Sequence, residues 1–266
     1  MSNSTQPPAP RIIAVANQKG GVGKTTTAIN LATALVAVKK RVLVLDLDPQ
    51  GNASTGFGVD RRARSKGTYE MLMDGVPLLA CVVETGIPQL DLITASVDLS
   101  GAEVELVDAE RREYRLRDAL RTTALPYDYV LIDCPPSLGL LTLNALAASD
   151  AALVPLQCEF YALEGLSHLI RTIELVRKSL NPKLEIQGIV LTMYDRRNNL
   201  SDQVAADVRT HFRDKFYHTM IPRNVRISEA PSHGKPVLLY DMRSPGAQAY
   251  IQLAGEVLKQ ERGERL

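Results

Sequence analysis

The octapeptide Lys19-Gly20-Gly21-Val22-Gly23-Lys24-Thr25-Thr26 directly follows the apolar run 11–16, and its residue types suit the holding of phosphate. Glycines let the main chain turn tightly, so that several N–H groups converge on phosphate oxygens. A helix starting near Lys24 adds the positive end of its dipole. Lys24 is placed to reach the β- and γ-phosphates of a nucleotide, and the Thr25 hydroxyl to bind Mg²⁺. Gly23, Lys24 and Thr25 supply the last three positions of the pattern G-x-x-x-x-G-K-[ST], but Gln18 stands where its first glycine belongs. The plain alternative is a glycine-rich turn before an ordinary helix. It is disfavoured because strand, loop and helix all stand in the required context.

Two more apolar runs end in carboxylates. Residues 41–46 lead into Asp46 and Asp48, and residues 129–132 lead into Asp133. Continuous apolar runs suit parallel strands covered on both faces, and ligands of such sheets sit beyond the carboxyl ends of the strands. Asp133 reads as the Walker B carboxylate, holding Mg²⁺ directly or through water. Asp48 is the candidate for positioning or deprotonating the attacking water. Asp46 reads as support for the metal or the loop. One aspartate at a strand end is ordinarily a cap or turn residue; three of them beside a phosphate loop reverse that expectation.

Five stretches together resemble the ParA/Soj/MinD class of deviant Walker ATPases: residues 16–27, 46–52, 133–137, 159–165 and 221–226. They are similar to chromosomal ParA (Soj) proteins in particular, from about residue 11 to 257. By itself Lys19 would read as a solvated lysine. Its position resembles the signature lysine of K-G-G-x-G-K-[ST]-T, which in that class reaches across a dimer interface to the partner's nucleotide, much as an arginine finger does. The resemblance thus puts Lys19 and Gly20 at an ATP-dependent homodimer interface. It places adenine against Ile221, Pro222, Arg223 and Asn224 and the end of the strand at Met193. It also implies ATP rather than GTP, consistent with the absence of a G-protein-like N-K-x-D, and a ParB/Spo0J-like partner that stimulates hydrolysis. In ParA/Soj proteins, nonspecific binding of double-stranded DNA depends on arginines that match Arg197 and Arg226.

The elements that must position these groups follow from the patterning. Strands and helices alternate, which predicts α/β: a P-loop NTPase domain with a mainly parallel, twisted sheet flanked by helices on both faces. Strands are expected at 11–16, 41–46, 90–94, 127–133, 151–156 and 186–193. Helices are expected at 25–38, 67–83, 138–148, 162–179, 200–212 and 246–261, with two more within the charged stretch 99–123. Residues 133–137 cannot continue a strand, because two prolines remove donors; they form a loop able to answer to a γ-phosphate. Residues 11–266 read as the ATPase domain and 1–10 as a disordered tail without a signal-peptide pattern.

Composition bounds the rest. The 266 residues are 45% hydrophobic but only 5% aromatic with no Trp, so the core rests on Leu, Val, Ile and Ala. Cys81, Cys134 and Cys158 form no C-x-x-C pair, so neither a zinc site nor a disulfide framework is indicated and free thiols in a reducing cytosol are the preferred reading. The nitrogenase iron protein shares the ATPase class but needs cluster-ligating cysteines; here Cys134 lies inside the Walker B segment instead. No apolar run reaches the roughly twenty residues of a membrane span.

A net charge of +1 gives no global field for nucleic acid, although residues 193–243 carry nine Lys and Arg against six Asp and Glu. That excess of three would by itself suit a solvated face; a two-fold dimer doubles it and aligns the copies. The expected setting is cytoplasmic and nucleoid-associated, with no membrane. A MinD-like membrane-surface ATPase is the alternative, but residues 257–266 are short, mixed in charge and interrupted by Gly263, unlike an amphipathic anchor. A dethiobiotin synthetase-like ligase would need a second carboxylate-binding constellation, which the sequence does not display.

Overall fold

The computed structural model describes residues 9–122 and 124–264; positions 1–8 of the expected tail lie outside the described residues. In chain order the elements are β1 (Arg11–Val15), α1 (Lys24–Ala37), β2 (Val42–Asp46), α2 (Asn52–Gly56), α3 (Thr68–Met73), β3 (Val82–Ile87), β4 (Leu90–Ile93), α4 (Leu99–Glu105), α5 (Arg115–Arg121), β5 (Tyr129–Asp133), α6 (Leu140–Ala148), β6 (Ala151–Gln157), α7 (Ala162–Ser179), β7 (Glu185–Thr192), α8 (Asn199–His211), α9 (Val225–Glu229), α10 (Val237–Tyr240) and α11 (Pro245–Glu261).

The sheet runs β3-β4-β2-β5-β1-β6-β7 and is parallel throughout except for β3, which pairs antiparallel with β4. Alternation along each strand divides the core between its two faces. Ile12, Ala14, Leu43, Leu45, Val130 and Ile132 pack on one side. Ile13, Val15, Val42, Val44 and Leu131 pack on the other, against α1 and α11. Both faces are covered, which explains why the strands read as unbroken apolar runs.

The register aligns the functional strand ends. Val15 of β1 and Asp46 of β2 both pair with Asp133 of β5, so the phosphate loop and the two carboxylates leave the sheet at one level. Beneath them, buried polar contacts fix α1. The Thr27 hydroxyl lies 3.3 Å from that of Tyr250 on α11, and Asn30 Oδ1 accepts from the N–H of Val237 at 2.8 Å.

One expected helix is not formed as read. Residues 67–83 were expected to be helical throughout, but α3 ends at Met73. Gly75 then turns the chain at φ +67°, and a 3-10 turn covers Leu78–Ala80 after Pro77. The chain next extends into the edge strand β3, whose pairing shifts register between Glu84 and Ile87. Met71, Leu72, Leu78 and Cys81 are all buried, so the apolar spacing marked burial rather than one continuous helix.

Candidate functional site

The loop between β1 and α1 takes its shape from glycines where the backbone needs them. Gly21 and Gly23 adopt φ values of +74° and +85°, the left-handed region that costs other residues most. The loop is anchored from two sides. Asn17 is buried; its Nδ2 donates to the Pro155 carbonyl at 2.7 Å, and its Oδ1 accepts from the N–H of Lys19 at 3.0 Å. On the far side the Thr192 hydroxyl donates to the Val22 carbonyl. The Lys24 ammonium folds back into the loop and donates to the Lys19 carbonyl at 3.0 Å. Burial lowers the Lys24 pKa, and Asp133 is the strongest of the charges that oppose the shift.

The three aspartates come together, but their surroundings differ. Asp46 is fully buried and held: its Oδ2 accepts from the N–H and hydroxyl of Ser54 at 2.8 and 2.6 Å, and its Oδ1 from the N–H of Asp48 at 3.3 Å. Burial raises its pKa to about 6, with the Ser54 bonds pulling against the rise. Asp48 is nearly buried and accepts from the N–H of Gln50 at 2.9 Å. Asp133 is fully buried, and neither of its carboxylate oxygens has a hydrogen-bond partner of good geometry among the described residues. Burial first, then Asp46, push its pKa well above the usual range, while the nearby Thr25 hydroxyl pulls against that rise.

An unpaired buried carboxylate beside a hydroxyl and two further carboxylates suits a divalent cation. Among the described residues no three His, Cys, Asp or Glu side chains form a metal cage by themselves. A cation here would draw its remaining ligands from phosphate and water, the manner of Mg²⁺.

Next to the loop lies a cavity of about 280 Å³ lined by Gly23, Thr26, Thr192, Met193, Pro222, Arg223 and Asn224. The expected base-binding residues therefore meet the phosphate loop. The cavity lies just below the ligand-pocket range of roughly 300–1,000 Å³. Met193 reaches it in a left-handed conformation, φ +50°, uncommon for a long side chain. Ile221, also expected there, shares the wall, and Ile227, Ser228, Pro231 and Tyr250, not anticipated, complete it. Tyr250 lies far along the chain on α11, and no local motif marks it.

Lys19 sits on the outer rim, where its ammonium forms an ion pair with Glu159 of the same chain. Arg197 is highly exposed and pairs with Asp195 at 2.8 Å. Arg226 pairs with Glu229 at 2.9 Å and Asp241 at 3.4 Å. An open groove of about 1150 Å³ shares Pro222 and Arg223 with the small cavity and carries Arg196, Arg197 and Lys259 along its lining. Arg197 lies in this groove and Arg226 outside its lining. No helix among the described residues is long and apolar enough to cross a membrane.

An AAA domain family model matches residues 10–186. The chromosome partitioning protein ParA of Caulobacter vibrioides is 64% identical over 254 residues, covering 95% of each chain. The sporulation initiation inhibitor protein Soj of Bacillus subtilis is 55% identical, covering 93% of this chain and 98% of that protein. Among solved structures, cobyrinic acid a,c-diamide synthase from Mycobacterium smegmatis with bound ATP analog and magnesium superposes with a TM-score of 0.85 at 38% identity, covering 97% of this chain and 98% of that one. With such identities sustained along nearly its whole length, the chain belongs to the ParA/Soj family of chromosome-partitioning ATPases.

Proposed function

We propose that this chain is a nucleotide-switched DNA-binding ATPase: ATP pairs two subunits, the pair holds DNA without sequence preference, and hydrolysis separates it. The observation that carries the nucleotide site is Asp133, a buried carboxylate beside Thr25 and Lys24 that has no well-aligned hydrogen-bond partner among the described residues. Thr25 and Asp133 would hold Mg²⁺, Asp133 directly or through water, with Asp46 bracing the loop. When bound, the ion neutralises charge on the β- and γ-phosphates. The main-chain groups of Lys19 to Thr26 wrap the phosphates of ATP, and Lys24 leaves the Lys19 carbonyl to meet them. The base lies among Met193, Pro222, Arg223 and Asn224. Asp48 orients the attacking water and accepts its proton. Lys19 completes the site of a second subunit, which makes nucleotide part of a two-fold interface around Lys19 and Gly20.

Arg197 and Arg226, doubled by that symmetry, contact DNA phosphates. Binding that favours the pair shifts its population by mass action. A ParB/Spo0J-like partner accelerates hydrolysis, and the released subunits leave the nucleoid. The setting is cytoplasmic and nucleoid-associated. The partition proteins are nearer in sequence than the mycobacterial synthase, which favours this reading over amide synthesis.

Binding of Asp48→Ala to random-sequence DNA, with ATP and with ADP across a salt series, tests the proposal. Tight, ATP-dependent, salt-sensitive retention is expected, because assembly survives while water activation fails. Absence of binding in every nucleotide state would remove the switch. An Asp48→Ala protein that hydrolyses ATP at the wild-type rate would remove Asp48 from the water-positioning role.

A further inference from the structure

The side chain proposed to act across the interface is already engaged within its own subunit: the Lys19 ammonium is paired with Glu159. The main chains on both sides of this pair are fixed. Lys19 donates its N–H to Asn17 Oδ1 and accepts from Lys24, each at 3.0 Å. Glu159 donates its N–H to the Gln157 carbonyl and accepts from the N–H of Ala162, each at 2.9 Å. The two side chains themselves are both more than a third exposed.

The next two residues are unusual for a surface. Phe160 and Tyr161 are 79% and 65% exposed, with their rings edge to face and centroids 5.1 Å apart. Large aromatics held in a fixed mutual geometry while facing water are the residue types that anchor interfaces. They directly follow Glu159, the ion-pair partner of the side chain proposed to reach a second subunit, so the occupant that fits them is a second copy of this chain.

We propose that Glu159 is a latch on Lys19, a positioning residue that parks the lysine in the unpaired subunit. Pairing of two ATP-loaded copies exchanges each ion pair for the partner's phosphates and covers Phe160 and Tyr161. The latch rests on the reading that Lys19 acts across the interface. A triphosphate offers Lys19 more negative charge than one carboxylate, and offers it in a drier place, so the exchange runs toward pairing with ATP. With ADP the γ-phosphate is missing and the lysine stays on Glu159. An exposed ion pair holds its partner by a factor of about 1.5 to 5. Two latches in a symmetric dimer therefore raise the concentration needed for pairing by up to about 25-fold. The lysine is thereby kept from a neighbouring subunit until nucleotide is present.

The test uses the full chain in the Asp48→Ala background, so that ATP persists, and adds Glu159→Gln, which removes the charge at nearly constant size. Two quantities are read: the protein concentration at half-pairing with ATP, and the rate at which Lys19 of the ADP-bound protein reacts with an amine-directed ester, followed by mass spectrometry. The latch predicts a pairing threshold lowered by about 2- to 25-fold and Lys19 labelling accelerated by about 1.5- to 5-fold. It also predicts that both differences shrink at high salt. An unchanged or raised threshold overturns the latch, even if labelling accelerates. If the parent protein does not pair with ATP at all, the cross-subunit reading fails and the latch with it; the labelling rate then reports the Lys19–Glu159 pair alone. Phe160→Ser, a change at a solvent-facing position, should raise the threshold about tenfold. No change there would overturn coverage by a second copy.

Discussion

The Thr192 hydroxyl donates to the Val22 carbonyl at 2.8 Å, a buried bond that ties the last residue of β7 to the phosphate loop. Thr192 also lines the cavity beside that loop, and the left-handed Met193 follows it. One hydroxyl therefore joins the glycine-rich loop, proposed to hold phosphate, to the cavity proposed to hold the base. Thr192→Val keeps the shape of the side chain but leaves a buried carbonyl without a donor, at a cost of about 1–3 kcal/mol. Each kcal/mol shifts Tm by roughly 2–4 °C in a chain of this size. The expected result is a lower melting temperature and weaker ATP-analogue binding, with Thr192→Ser restoring both. Thermal melts with and without the analogue check this; an unchanged affinity in Thr192→Val would remove the coupling.

Asp133 should show that the site is built at the expense of stability. Its carboxylate is buried without a well-aligned hydrogen-bond partner among the described residues, so Asp133→Asn removes a group whose ionised form ligand-free folding disfavours. The variant is expected to be more stable than wild type at neutral pH by at least about 1 kcal/mol, and to lose Mg²⁺-dependent hydrolysis. The sign with pH follows from linkage. The folded pKa values of Asp46 and Asp133 lie above their unfolded values, so their favourable contribution is complete at low pH and is lost as pH rises. For Asp46 that loss runs from about 4 to about 6. The advantage of Asp133→Asn should therefore grow as pH rises through and beyond this window. Equal melting temperatures for the two proteins from pH 5 to 8 would show that the charge is compensated.

The sequence displayed this site well because its parts are local. The phosphate loop is one continuous octapeptide, and Asp46, Asp48 and Asp133 end apolar runs whose meaning is fixed by a sheet covered on both faces. Edges and distant walls were harder to read. β3 carries Val-Val-Glu-Thr-Gly-Ile on an edge where burial is partial, so its apolar spacing merged with that of the preceding helix. The short helices α2, α9 and α10 run for only four or five residues, too few to show a period. Tyr250 enters the cavity beside the phosphate-type loop because α11 packs on α1, a tertiary fact without a motif. The partner of Lys19 was hidden for the same reason: Glu159 is 140 residues away.

Gly20 separates folding from assembly. A Cβ at this position would meet only the Pro136 Cβ, at 3.9 Å, which is ordinary contact. Its backbone does not require a left-handed angle either, unlike Gly21 and Gly23. Gly20→Val should therefore fold, melt within about 0.5 kcal/mol of wild type, and bind nucleotide. Bulk on the outer face of the loop should then prevent ATP-dependent pairing. Nucleotide binding by calorimetry and mass by sedimentation separate the two effects. Normal pairing by Gly20→Val would move the interface away from this loop.

Arg197 and Arg226 should differ in how their loss weakens DNA binding. Each phosphate contact contributes about 0.9 to the slope of log affinity against log salt. Removing one arginine per subunit from a symmetric pair should therefore reduce that slope by about 2. Affinity depends further on what the arginine leaves behind. Arg197→Ala frees the single carboxylate of Asp195, whereas Arg226→Ala frees both Glu229 and Asp241. Two half-buried carboxylates beside a phosphate backbone repel it, so Arg226→Ala should lose more affinity than Arg197→Ala at low salt, and the difference should fade as salt screens the repulsion. Adding Glu229→Gln to Arg226→Ala should recover part of the loss without restoring the slope, because a negative charge is removed and no phosphate contact regained. Filter-binding titrations of the ATP-locked Asp48→Ala protein on random-sequence DNA at several salt concentrations measure both quantities. Slopes equal to those of the parent would exclude these arginines from phosphate contact.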